Sequence, residues 1–260
     1  YMRKQIARKI GGFVLATLTI AVVIWGVYQS AQYSLLFPSE SEINDINNVG
    51  LALSSHERQA IIRSRGSTVQ VFSLDLKDGG MSSLTGTYLT YKGKYFVLTA
   101  SHGVYDFCGF TNVVVDDILH PCTQYVLRDP ASDYIVIQVD KIEERIPVDL
   151  TSQSPRRGEW IKELAVQNTI FYTGYPNEGG PYTFDGRVVG FRSDSAIFID
   201  SYGWSGSSGA GVFSRSGNWI GWVMALEVGE TYFGREVLEN FIWVIPLFKV
   251  DWLAVGEFAD

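Results

Sequence analysis

An all-β fold, one barrel or paired barrels, is what this sequence predicts, and three observations carry it. Aromatic residues make up 14% of the chain, and its 26 glycines are spread without a Gly-X-Y period, a balance that favours strands and tight turns over coiled coils or collagen. Beyond residue 66 the apolar residues fall into short runs, alternating or continuous, parted by Gly, Asn, Asp and Ser: STVQVFSLDL, GTYLTY, YFVLTA, YIVIQV, TIFYTGYP, GRVVGF, AIFID, AGVF, WIGWVMAL and FIWVIP. Such runs read as strands. Ten of them in about 180 residues leave no place for the crossover helices that a parallel sheet needs. With 260 residues, 46% hydrophobic and 19% charged, the chain has material for a real core, which excludes wholesale disorder.

Taken in order, the chain opens on a basic stretch. Residues 1–10 hold Arg3, Lys4, Arg8 and Lys9 and no acid, so the net charge of −7 leaves 17 cations against 28 acids in the remainder. That acidic balance disfavours nucleic acid as a partner. From Ile10 to Ser39 no charged residue occurs, and residues 11–28, GGFVLATLTIAVVIWGVY, are densely apolar. An uncharged stretch of this length is expected to be a retained transmembrane anchor, within residues 11–37. A removable signal peptide is the poorer reading, because Gln29-Ser30-Ala31 makes a poor cleavage site. Cations before the span and none just after it place residues 1–10 in the cytoplasm and everything after Pro38 on the periplasmic or other extracytoplasmic side.

The polar run of residues 38–50, PSESEINDINNVG, reads as a stalk. Ser54 and Glu57 have capping-box spacing and Gly66 suits a helix end, so one short helix is expected before the strands. Residues 247–255 look like a closing helix. Cys108 and Cys122 are the only cysteines, and neither sits in a CxxC or metal-ligand cluster, so no metal site is expected. In an oxidising compartment a Cys108–Cys122 disulfide is the better reading, with two buried thiols as the alternative.

The most specific segment is GWSGSSGAGVFSRSGNWIGW, residues 203–222. A serine set among glycines allows a sharp turn that exposes its hydroxyl and aims backbone N–H groups into one cavity, as an oxyanion requires. A nucleophilic serine needs an imidazole as base and an acid to orient it. Of three histidines, His56 lies in the capping box and His120 precedes Pro121 in a loop, whereas His102 ends the apolar strand of residues 97–100. An acid follows about 30 residues on, at Asp133 or its competitor Asp129, just before YIVIQV.

These segments, in the order His, Asp, Ser, resemble the trypsin-like serine proteases of chymotrypsin fold over roughly residues 66–255. TASHGV resembles the family's block around the general base, DPASDYIVIQV its acid and hydrophobic strand, and GSSGAGVF its nucleophile motif. IFYTGYP, GRVVGF and AIFID are similar to strands of the bacterial HtrA and DegS branch. The resemblance implies two six-stranded antiparallel barrels, about 66–150 and 160–250, and a serine endopeptidase with His102 as base, Asp133 as orienting acid and Ser208 as nucleophile. It implies no cofactor. Gly206 and Ser208 would supply the oxyanion-hole N–H groups, and Ser205 would only shape the cleft. Tyr202 falls where trypsin carries a pocket-floor Asp, so a Lys or Arg preference at that pocket is not expected. Trp222, Val223, Met224 and Ala225 would face an extended protein or peptide substrate, while the rings of Trp219, Trp222 and Trp243 would belong to the core. No PDZ domain is expected, since about fifty residues follow Ser208. The alternative is a trypsin-fold binding or structural subunit of a membrane or virion assembly, its triad unused.

Overall fold

A computed structural model of the chain describes residues 18–29, 53–193, 195–231 and 234–258, and the side chains of all these except 225–239. Residues 18–29 form a helical segment whose apolar side chains, Ile24 and Trp25 among them, are exposed. Among the described residues no helix is long and apolar enough to cross a membrane. The basic tail, most of the expected anchor and the stalk lie outside the described residues. Residues 52–260 form a second compact unit.

That unit begins with α1 (Ser55–Ser67). Ser54 Oγ accepts from the Glu57 N–H at 3.3 Å, and Glu57 Oε2 accepts from the Ser54 N–H at 2.9 Å. This reciprocal pair satisfies two of the donors a helix start leaves open. The helix passes Gly66 and ends at Ser67, with extended Thr68 as its cap.

The first sheet comprises β1 (Thr68–Leu74), β2 (Met81–Tyr91), β3 (Lys94–Thr99), β4 (Thr111–Val115), β5 (Ile118–Pro121), β6 (Gln124–Asp129), β7 (Tyr134–Val139) and β8 (Val148–Asp149). Its order is β5-β4-β1-β2-β3-β7-β6, with β8 parallel to β2. The second is a closed barrel of β9 (Thr169–Gly174), β10 (Tyr182–Phe191), β11 (Ile197–Asp200), β12 (Gly211–Ser214), β13 (Trp219–Thr231) and β14 (Gly234–Pro246).

The expectation of two six-stranded barrels therefore holds for residues 169–246 and is corrected for residues 68–149, which form an open sheet of eight strands. A corner stands where a ladder would close it. Cys122 N donates to Thr111 O at 3.0 Å, and the next residue, Thr123, donates to Gln138 O at 2.9 Å, so consecutive amides serve opposite edges. Side chains bridge the remaining gap. Tyr125 on β6 and Thr111 on β4 share a 2.7 Å hydroxyl hydrogen bond, and a disulfide joins Cys108 to Cys122.

β4, β5, β6 and β8 were absent from the sequence expectation. β4 offers a run of only three valines, and Asp116-Asp117, which reads as loop, is in fact the β4–β5 turn, with φ of 48° and 65°. Two consecutive positive φ values give a turn whose twist matches a hairpin. The expected closing helix is split. Residues 247–249 make one 3-10 turn, and Asp251 caps α2 (Trp252–Glu257) by accepting from the Leu253 and Ala254 amides.

Three buried clusters hold the unit together. One fills the first sheet around Val71, Val97 and Ile137, and another fills the closed barrel around Ile170, Ile199 and Val244. The third draws Phe96, Leu98 and Tyr134 from the first sheet and Phe213, Trp219 and Trp222 from the barrel. Removing this apolar surface from water fixes the two halves face to face. Trp219 and Trp222 are fully buried, as core residues should be. Trp243 is only half-buried, with the Arg192 guanidinium 4.2 Å from its ring centroid.

Candidate active site

β3 runs out at Thr99 into a 3-10 turn, Ser101–Gly103, that carries His102. β7 pairs antiparallel with β3, Ile135 opposite Thr99, so the turn before β7 arrives beside the turn after β3. Asp133 sits in that turn at φ 51°. Its Oδ2 lies 2.7 Å from His102 Nδ1, and its Oδ1 accepts from the His102 backbone N–H at 2.8 Å. Ring and backbone are thus held by one carboxylate. The hydrogen bond to Asp133 raises the imidazole pKa above its ordinary value, against the opposing effect of burial. Asp129 turns away, its Oδ1 accepting from the Ala131 and Ser132 amides, which removes it as competitor for His102.

Arg128, on β6, was missed by sequence reading. Its guanidinium donates to Ser101 Oγ at 2.9 Å, to Ser101 O at 3.1 Å, to Val104 O at 2.6 Å and to Asp106 at 3.0 Å. These bonds clamp the His102 turn from both flanks. One arginine in an apolar strand gives no signal of this.

The glycines around Ser208 are required by contacts. A Cβ on Gly206 (φ 95°) would meet Tyr175 O at 2.5 Å, and one on Gly209 (φ 90°) would meet Thr85 O at 2.1 Å. No larger residue fits these turns. Thr85 on β2, also missed, anchors the loop: its N–H donates to Ser208 O at 3.0 Å and its hydroxyl to Gly206 O at 2.7 Å. The same hydroxyl accepts from Tyr175 N at 2.9 Å. Neither the Gly206 nor the Ser208 N–H has an acceptor among the described residues. A cleft of about 440 Å³ is lined by His102, Gly206 and Ser208 together, with Ser205 on its wall. Among the described residues no hydrogen bond joins His102 to Ser208, and apo geometry of this kind tightens when substrate binds.

Other expected site residues sit differently. His56 is in the exposed first turn of α1, and His120 lies in β5, 4.0 Å from Glu144. Trp222 and Val223 send their side chains into the core, and their place in the substrate-facing set is corrected. The backbone is engaged as well: Trp222 pairs with both Gly211 and Ile245, while Val223 N donates to Ala210 O and Val223 O accepts from Gly209 N. The open edge of β13 begins only at the Met224 bulge, where pairing to β12 has ended and pairing to β14 continues through Ala225. Tyr202 does not line the cleft shared by His102 and Ser208; its ring packs on Phe184 and its carbonyl accepts from the Tyr172 hydroxyl. No group of His, Cys, Asp and Glu among the described residues could hold a metal ion.

Known proteins give the wider setting. A family model described as a trypsin-like peptidase domain matches residues 84–221, which spans Thr85, His102, Asp133 and Ser208. No curated protein sequence matches the chain. Among solved structures, the serine endoprotease from Yersinia pestis superposes with a TM-score of 0.57 at 17% identity, covering 80% of this chain and 69% of that one. The HtrA-type protease AlgW with tripeptide gives 0.58 at 17% identity, covering 79% of this chain and 65% of that one. At such identities the likeness speaks for fold alone. The family match extends over more than half the chain; the chain belongs to the trypsin-like peptidase domain family.

Proposed function

We propose that the chain is a membrane-anchored serine endopeptidase that hydrolyses peptide bonds of protein substrates through an acyl-enzyme, using Ser208, His102 and Asp133. The observation that carries this reading is the two-point hold of Asp133 on His102, at 2.7 and 2.8 Å, at the cleft that Ser208 also lines. Asp133 keeps the Nδ1 proton on its own side of the ring, which leaves Nε2 to take the Ser208 proton as Oγ attacks the scissile carbonyl. The open N–H groups of Gly206 and Ser208 receive the oxyanion. His102 then gives its proton to the leaving amine, and water repeats the sequence on the ester. The edge of β13 from Met224 onward, which has no strand partner beyond β14 among the described residues, offers backbone to the acyl part of an extended substrate, as strand addition.

Anchoring rests on the sequence. A charge-free stretch follows four cations, and the described residues 18–29 expose their apolar side chains, as a segment held in lipid does. The catalytic unit then lies on the periplasmic or other extracytoplasmic side.

A fluorophosphonate probe tests the chemistry and separates an enzyme from a binding subunit. Ser208→Ala is expected to abolish labelling and to cut turnover by on the order of a million-fold, while Ser205→Ala keeps a measurable part of both. Label mapped to Ser205, or no label on folded wild-type protein, overturns the proposal.

A further inference from the structure

Two adjacent residues on the wall of the Ser208 cleft hold backbone conformations that side chains rarely adopt: Asn177 at φ 50° and Glu178 at φ 61°. Asparagine tolerates the left-handed region, but glutamate seldom enters it. Strain of this kind persists where surrounding bonds impose it and clusters at functional sites. Here Asn177 N donates to Ser205 O at 2.7 Å, and Gly179 N donates to Pro176 O at 3.0 Å, pinning the turn to the loop that carries the nucleophile. The result is an exposed carboxylate-bearing residue at the cleft.

Among the described residues, Glu178 is the only acid lining that cleft, and no lysine or arginine lines it. Met81, on the same cleft, is 64% exposed and offers an apolar wall for the methylene stem of a long cationic side chain. The cavity on the other side of the His102 turn adds Asp75 and Asp106 against Lys77 and Arg128, and Arg128 is already committed to Asp106 and two backbone carbonyls. Among the described side chains of β13, residues 219–224, none lines the Glu178 cleft. With the acyl part of a substrate along the β13 edge, this cleft receives the residues that follow the scissile bond.

We infer that Glu178 makes the cleft a subsite for a lysine or arginine side chain on the leaving-group side of the cut, an inference that rests on the endopeptidase reading above. The full chain is assayed with peptide pairs identical except for Lys or Gln at the first or second residue after the scissile bond. The readout is the ratio of kcat/KM within a pair, from which changes in the amount of folded enzyme cancel. At low ionic strength Lys is expected to be preferred roughly three- to fivefold at one of the two positions, the size of a single exposed charge pair. The ratio shrinks in about 0.5 M salt, where such pairs are screened. Glu178→Gln brings the ratio close to one, and Glu178→Lys inverts it. A wild-type ratio near one at both positions, or a ratio that Glu178→Gln leaves unchanged, overturns the subsite while the endopeptidase reading stands. Folded protein that cleaves no peptide and takes no fluorophosphonate overturns both.

Discussion

In the proposed mechanism the imidazole of His102 serves as a base only while neutral, so its hydrogen bond to Asp133 sets the acid limb of activity. Because that bond raises the pKa, kcat/KM is expected to fall as pH drops through a midpoint above the ordinary histidine value of about 6.5. Asp133→Asn removes the raising interaction: the limb moves to lower pH, and turnover falls by on the order of ten-thousand-fold, as with other triads that lose their acid. Linkage has the opposite pH sense. A pKa raised on folding contributes stability below the unfolded-state value and loses it as pH rises through the folded value. The melting gap between wild type and Asp133→Asn should therefore be wider at about pH 5.5 than at about pH 8.5, as thermal melts would read; a gap that widens with pH contradicts the assignment. Arg128 acts through the same turn. Lysine cannot reproduce a guanidinium fork across Ser101 and Val104, so Arg128→Lys is expected to lower kcat by roughly ten- to a hundredfold with KM little changed, the scale of a small misplacement of a catalytic group. Steady-state kinetics with an unchanged kcat would show that the clamp is idle.

At the scale of elements, the segment from Cys108 to Cys122 replaces a barrel seam. It carries β4 and β5 away from β1 and then, at residues 122 and 123, returns the chain to β7. A disulfide across 14 residues fixes that return. Closing a loop of this size stabilises by on the order of 3 kcal/mol in the chain-entropy model. The double variant Cys108→Ser, Cys122→Ser should then melt roughly 6–12 °C lower, which calorimetry would show. Little change in melting would mean that the Tyr125–Thr111 bond and the β6–β7 ladder close the first sheet unaided. The short motif around Ser208 depends on elements in the same way: Thr85, in the middle of β2, gives two hydrogen bonds to its loop, at Ser208 O and Gly206 O, and accepts a third from Tyr175 N beside it.

For the molecule as a whole, the face-to-face core of Phe96, Leu98, Phe213 and Trp222 brings His102 and Asp133, from the first sheet, to Ser208, from the barrel. The proposed reaction centre is thus a product of the docking of sheet against barrel. The proposed orientation in a membrane is a separate matter and rests on charge. With cations preceding the apolar stretch, protease added to intact cells or spheroplasts is expected to degrade the residue 52–260 unit; a protected unit, or a mature N-terminus near Tyr33, refutes the topology.

The sequence by itself determined whatever local chemistry writes in few residues. Ser54 and Glu57 spell a capping box, ten apolar runs spell strands, and His102 and Ser208 stand out because a glycine-set serine and a strand-ending histidine are uncommon. The tertiary structure decided the rest. Asp133 prevails over Asp129 because β3–β7 pairing sets its turn beside His102, while Asp129 is spent on its own turn amides. Trp222 and Val223 lose their substrate role because β12 and β14 flank them inside the barrel. The first barrel stays open because two successive amides serve opposite edges, a three-dimensional event that no run of residue types encodes. Arg128, Thr85 and Glu178 were silent for the same reason: each is an ordinary residue whose role comes from what the fold places within hydrogen-bond reach of it or across a cleft from it.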